Sequence, residues 1–385
     1  LTDIFIPLIV FILFFLLVPV FVKAFPALEL KIVLKSLFCH TFFAISYYVY
    51  SLKFGADSIG YYSVASQELN GSFISEYYGT GTTFIYFLLY PFANSLGLSY
   101  LSCTLLFNFI GFIGLWFFYI SVLENLDLVN YSWAKKNLTF FMFLPGLNFW
   151  TSAIGKDSLM FFSVGLLFFG ISRIRNRFFS ILISMIIIFH IRPHIFLFVS
   201  IALVSTMVFS GGKSLIIRIV FTCLVVTSLY FTMEQLKEKT GLEDAKGAND
   251  VLSQVENRAN YNLEGTSSYE ISQFNLPFRV ATYLYRPIFV DARSLLMFVI
   301  SFENALFVLL SLQLFLWRKF LKIGNINPMY IKFCIYFFLI SVLVLSAVTS
   351  NMGIAIRQKM MFMPCLLALY CIAVSKKDTI LKIRL

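Results

Sequence analysis

Long apolar runs alternate along the chain with short polar or basic breaks, which is the pattern of membrane-length helices and not the period-two alternation of half-buried strands. The runs lie near 3–22, 31–51, 98–121, 138–151, 157–173, 178–191, 194–209, 214–232, 293–316, 330–348 and 357–375. Taken as spans they predict an all-α integral membrane protein of about 11 transmembrane helices, with residues 1–385 forming a single polytopic domain. Several runs are short for a hydrocarbon core about 30 Å thick, so those helices are expected to be broken or to end below the membrane surface around a cavity. The stretch "TTFIYFLLYPFANSL" (82–96) does not fit the alternation of sides. It is expected as an interfacial or re-entrant helix within a first outer loop, 53–97. Residues 234–286 make the large outer loop, whose polar part, 234–280, opens on an amphipathic helix and passes through a flexible "NLEGTSS".

Composition fits that reading: of 385 residues, 59% are hydrophobic and only 13% charged, which excludes a soluble globular domain. The 47 phenylalanines need no further explanation, since lipid-facing helices accept Phe freely. The net charge of +11 suggests nucleic acid until the positions are examined. Basic residues gather at Lys23, Lys31 and Lys35, at Lys135 and Lys136, in "RIRNR" (173–177), at Lys213 and Arg218, in "WRKFLK" and in the tail "SKKDTILKIRL". The positive-inside rule places all of these in the cytoplasm, so topology explains most of the excess and no nucleic-acid partner is expected. The chain then begins outside and ends inside, and the first run, lacking a basic leader and a cleavage site, is expected as a retained span. The six cysteines stand singly in apolar runs with no CxxC spacing, so neither a metal site nor a disulfide framework is expected.

One stretch resists the pattern. In "MIIIFHIRPHIFLFVS" (185–200), His190, Arg192 and His194 interrupt what otherwise reads as one span, and a charged side chain at a span centre costs about 2.5–3.5 kcal/mol on insertion scales. The other polar clusters left unexplained by cytoplasmic anchoring fall at the same, outer ends of spans. They are "GADSIGYYSVA" with Asp57, "SAIGKDSLMFF" with Lys156 and Asp157, "PFRVATYLYRPIFVDARS" with Arg279, Arg286, Asp291 and Arg293, and "TSNMGIAIRQKMMFMP" with Arg357 and Lys359. Cations converging at one membrane boundary beside carboxylates predict a pocket for an anionic headgroup, with acid or base chemistry nearby. Each element also has a plainer reading. The arginines can snorkel to lipid headgroups, Lys156 and Asp157 can neutralise one another or cap a helix, and His190 can be a satisfied core histidine. Arg192 and Lys359, however, sit on outer turns, where the positive-inside bias disfavours idle cations. Glu303, about ten residues into a span, is expected to be paired with an arginine or protonated.

A soluble-anion transporter needs cations along a path through the bilayer, whereas here they stop at one boundary under a large outer loop. A lipid diphosphate fits better: its chain stays in the bilayer, its phosphates meet arginines, and its sugar projects outward. The set "GADSIGYY", "IGKDSL", "IRPHI", "YRPIFVDARSLLMFVISFENAL" and "NMGIAIRQKMMFMP" resembles bacterial O-antigen and capsular polysaccharide repeat-unit polymerases, multi-pass glycosyltransferases of the GT-C-like class. That resemblance implies polymerisation of undecaprenyl-diphosphate-linked oligosaccharide repeat units at the outer face of the inner membrane. It also implies a lipid-linked donor, no cofactor, and a chain-length regulator and a flippase as partners. By the same likeness the functional arginines are Arg192, Arg286 and Arg357. Lys359 and Lys156 join them as expected ligands of the lipid diphosphate, Asp57, Asp157 and His194 are the expected bases, and His190, Arg279 and Glu303 are supporting residues. An O-antigen ligase, a polyprenyl-monophosphate sugar transferase and a lipid-linked oligosaccharide flippase remain as alternatives. The flippase requires charges through a central cavity and two related halves.

Overall fold

The computed structural model describes residues 2–69, 71–126, 132–209, 275–322 and 327–383, together with the isolated positions 219, 222–223 and 226–227. The expected loop from 234 to 274, and nearly all of the expected span 214–232, lie outside the described residues. Among those described, the secondary structure is helical, without strands.

Two compact units are present: Leu1–Asn125 with Lys135–Pro193, and Leu126–Ala134 with His194–Leu385. The first holds α1 (Thr2–Ala24), α2 (Leu30–Phe54), α3 (Asp57–Ala65), α4 (Phe73–Tyr77), α5 (Thr82–Tyr90), α6 (Tyr100–Leu123), most of α7 (Ser132–Phe141), α8 (Pro145–Thr151), α9 (Lys156–Ser172) and α10 (Phe178–Ile191). The second holds α11 (Pro193–Phe209, from its second residue), α12 (Leu276–Tyr285), a short 3-10 turn (Phe289–Asp291), α13 (Leu295–Trp317), α14 (Pro328–Val348) and α15 (Met352–Ile383).

Among the described residues, six helices are long and apolar enough to cross a membrane: α1, α2, α6, α13, α14 and α15. The count is seven if α8 and α9, bent 110° apart, form one broken span. α9, α10 and α11, at 17, 14 and 17 residues, are shorter. The apolar side chains that cover α1, α2 and α13, among them Leu16, Val20, Phe42, Val49, Leu312 and Phe315, are exposed. An apolar surface repeated on several helices is compatible with a multi-pass membrane protein, because water-soluble surfaces seldom carry such extended patches.

The expected run 138–151 is divided. α7 stops at Phe141, a turn follows, and Pro145 opens α8, since proline lacks the N–H a continuing helix needs but fits a first-turn position. The expected interfacial segment 82–96 forms α5 followed by a π-helical turn, Pro91–Ser95. The last part of the expected loop 234–286 is itself helical, as α12. Side-chain caps begin several helices: Ser99 accepts from the Ser102 N–H, Asn275 from Phe278, Ser294 from Met297 and Asn327 from Met329.

The centre of the first unit is the α6–α9 crossing, where small residues let backbones meet. A Cβ on Gly165 would lie 2.1 Å from the Gly114 carbonyl oxygen, and one on Gly111 only 2.0 Å from that of Thr151. Association through small-residue contacts is the route open to helices in lipid, where burial of apolar surface gives no net drive. The crossing fixes the start of α9, and through the Arg173–Arg177 turn the course of α10, whose last residues reach the candidate site. At that turn the Arg177 guanidinium makes paired 2.7 Å bonds to both oxygens of Glu124, and Arg173 adds a third contact at 3.2 Å. Two of the three arginines in "RIRNR" are therefore engaged with a carboxylate at the end of α6.

Candidate functional site

In the first unit the site gathers at the N-terminus of α9, the C-terminus of α10 and the loop before α5. α10 ends at Ile191, and Arg192 adopts φ −145°, ψ 86°, because Pro193 disfavours helical geometry in the residue before it. The side chain is thereby turned off the helix. Its Nη2 donates to Asp157 Oδ1 at 2.7 Å, and both side chains are about one-seventh exposed (14% each). Asp157 stands in the first turn of α9, where a carboxylate also complements the helix dipole. Gly155, at φ 156°, makes the turn into α9 in backbone geometry that a side chain would strain. Lys156 follows it, half-buried; its Nζ lies 3.9 Å from where a Cβ on Gly81 would stand.

Gly81 belongs to the loop before α5, and its N–H donates to the carbonyl of His190 at 2.6 Å. The His190 imidazole is held at both nitrogens, Nδ1 lying 2.8 Å from the Ile186 carbonyl and Nε2 3.1 Å from the Tyr78 hydroxyl. A carbonyl can only accept, so Nδ1 carries the proton; in the neutral ring Nε2 then accepts from the Tyr78 O–H. Asp57 is exposed at the start of α3. It shares a face of that helix with Tyr61, one turn on, whose ring edge comes within 3.7 Å of a Cβ placed on Gly155. The structure thus brings Lys156, Asp157, His190 and Arg192 into one cluster, with α3 alongside.

The second unit carries a different arrangement around residues 284–291. Lys359, on α15, is fully buried, and its ammonium donates to the carbonyls of Leu284 and Arg286 at 3.0 Å each and to Asn304 Oδ1 at 2.9 Å. Asn304 completes the frame by donating to the Pro287 carbonyl at 2.8 Å. Expected as a phosphate ligand, Lys359 is placed instead with its three N–H bonds directed at protein oxygens, which leaves no donor for a phosphate in this geometry. Glu303 is also buried, and its charge acts on Lys359. The Arg286 guanidinium grips Asp291 through Nε at 2.9 Å and through Nη2, while the Ile288 N–H donates to Asp291 Oδ2 at 3.0 Å. The hydrogen bond from Arg286 holds the Asp291 carboxyl below its ordinary range; the Ile288 N–H and the charges of Arg286 and Arg293 act the same way, and burial opposes them.

The remaining expected residues of this unit are placed as follows. Arg279 is half-buried on α12, and Arg357 is half-buried near the start of α15. Arg357 is two residues from Lys359, about 200° round the helix, and so points away from the buried ammonium. His194 is exposed at the start of α11, its ring edge-on to Phe198 at 6.1 Å.

One polar cluster has no counterpart in the sequence expectations. His40, fully buried on α2, lies with Nδ1 beside Asn108 Oδ1 of α6 and Nε2 3.1 Å from Thr151 Oγ1 at the end of α8; Asn108 also reaches Thr41 at 3.2 Å. A lone histidine in an apolar run carries no local signal of such partners, which come from helices 68 and 111 residues further on.

Comparison with known proteins gives no matching family model, no similar curated protein and no similar solved structure.

Proposed function

We propose that the chain is a polytopic GT-C-like glycosyltransferase of about 11 spans, set in the inner membrane with its site facing outward. In this reading it polymerises undecaprenyl-diphosphate-linked oligosaccharide repeat units. The observation that carries it is the Arg192–Asp157 pair beside Lys156 and His190. A guanidinium held by one carboxylate oxygen at the end of a short apolar helix is poised to exchange that partner for phosphate oxygens, to which arginine can bind through two N–H groups at once. Charge builds on the diphosphate as the anomeric C–O bond breaks, and fixed cations stabilise it most at that moment. Arg286, with its main chain framed by Lys359 and Asn304 and its side chain gripped by Asp291, is the equivalent group of the second unit.

The test is the ladder of polymer lengths made from lipid-linked repeat units by membranes carrying each variant at equal protein level. Arg192→Ala is expected to stop at the single unpolymerised repeat and Arg192→Lys to give a weak ladder, since lysine keeps the charge without the fork. A normal ladder from inserted Arg192→Ala protein sinks the reading. Transfer of finished polymer to a second acceptor, with no lengthening, identifies a ligase.

A further inference from the structure

We propose that Tyr78 and His190 form an acceptor subsite in which a sugar hydroxyl takes the place of the Tyr78 hydroxyl on His190 Nε2 and gives up its proton there. The proposal rests on the glycosyl-transfer reading above and assigns its base.

The geometry selects this nitrogen. The Ile186 carbonyl, 2.8 Å from Nδ1, fixes the tautomer, so the lone pair is on Nε2. What occupies that lone pair is the hydroxyl of Tyr78, a residue 58% exposed in the loop between α4 and α5. A hydroxyl donor on a surface loop is the protein group most readily exchanged for another hydroxyl. The loop is pinned at its other end by the Gly81 N–H on the His190 carbonyl, so Tyr78 can swing without the loop leaving the site. Phe84, Phe189 and Tyr78 rings lie 4.8, 5.4 and 5.5 Å from the imidazole and supply the aromatic walls on which sugar C–H faces pack. The competing carboxylates are placed less well. Asp157 is already engaged by the Arg192 guanidinium through Oδ1, and Asp57 is exposed on α3.

In the step proposed, the acceptor O–H bond breaks and its proton passes to Nε2. The oxygen's electron pair forms the new bond to the anomeric carbon, and the anomeric C–O bond to the diphosphate breaks with its pair leaving on the diphosphate oxygen. The imidazolium keeps its Nδ1–H on the Ile186 carbonyl and then passes the Nε2 proton to the departing diphosphate.

The experiment uses the full-length protein in detergent with 15N-labelled histidine; only three histidines are present, and His190→Gln assigns the resonance. A ring protonated at Nδ1 is expected, with an Nε2 resonance that moves in Tyr78→Phe. The same resonance is expected to move on adding the free repeat-unit oligosaccharide, released by mild acid from the host's own lipid-linked pool. A ring protonated at Nε2 alone, or no movement with the oligosaccharide, overturns the subsite. In membranes His190→Gln is expected to slow polymer formation about 100-fold or more. Wild-type polymer formation by correctly inserted His190→Gln overturns the assignment while leaving glycosyl transfer intact. An unchanged ladder in a host lacking the protein overturns the parent reading, and this subsite with it.

Discussion

The ammonium of Lys359 donates to the main-chain carbonyl of Arg286 at 3.0 Å, so a lysine buried on α15 holds the backbone of an arginine 73 residues earlier in the chain. With Leu284 and Asn304 as its other acceptors, Lys359 ties α12, α13 and α15 together at one point. Removing it leaves the Leu284 and Arg286 carbonyls without this donor and Glu303 without this neighbouring cation. Breaking one side of a buried charged network costs about 3–5 kcal/mol. Lys359→Met is therefore expected to lower the melting temperature of the detergent-solubilised protein sharply, whereas Met361→Leu, a volume-conserving change two residues away, costs less than about 1.5 kcal/mol. Equal melting temperatures for Lys359→Met and wild type would show the frame to be dispensable.

The Asp291 carboxyl gives the second unit a pH dependence of definite sign. Its folded value is depressed by the hydrogen bond from Arg286, so its contribution to stability is fully present above the ordinary carboxylate value of about 4 and is lost as pH falls through the lower folded value. The stability difference between wild type and Asp291→Asn should stay constant from neutral pH down to about 5 and then shrink in more acid solution. Melting curves at a series of pH values read it directly. A difference that disappears between pH 7 and 5 contradicts the depressed value.

At the α6–α9 crossing the clash falls on main chain. A methyl on Gly165 meets the Gly114 carbonyl oxygen at 2.1 Å, and neither backbone can yield without moving its helix. Gly165→Ala is expected to cost about 1–3 kcal/mol, the range for overpacking, although alanine is the better helix former. Gly60→Ala, on α3 with nothing within 4 Å of the added carbon, serves as the control and should be neutral or slightly stabilising. Equal stability of the two variants would mean that the crossing is looser than it stands here.

Long uninterrupted apolar runs were legible because length alone marks them, and α1, α2, α6, α13 and α14 lie close to where the sequence put them. That the short 138–151 run would be broken was legible from its length, but not where: the break falls before Pro145, whose missing N–H hydropathy ignores. The turn at Arg192 was legible for the same kind of reason, since the proline after it acts on the backbone locally. Pairings were not legible. Arg192 and Asp157 are 35 residues apart and meet only because α9 and α10 form a tight hairpin around the Arg177–Glu124 anchor. The depth of Lys359 was equally hidden, as the residues flanking it read as an outer turn while its partners lie on α12 and α13. His40 shows the limit most clearly: its partners on α6 and α8 leave no mark on the sequence around it.

Asp157 separates a holding role from a proton-accepting one. It donates nothing and accepts from Arg192 through Oδ1, so Asp157→Asn keeps an acceptor oxygen of the same shape and removes the charge. If Asp157 only aims Arg192, the guanidinium keeps its direction through a weaker neutral bond. The initial rate of polymer formation should then fall by about tenfold, in keeping with the roughly 1.4 kcal/mol that separates a charged from a neutral hydrogen bond. If Asp157 is the base, asparagine cannot take the proton, and the loss should reach about 10²–10⁴. His190→Gln measured beside it should show the larger loss. The decisive comparison is the double variant Asp157→Asn/His190→Gln. With His190 as base and Asp157 as holder, restoring His190 in that background recovers most of the rate, while restoring Asp157 recovers little; the reverse order assigns the base to Asp157 and removes His190 from the chemistry.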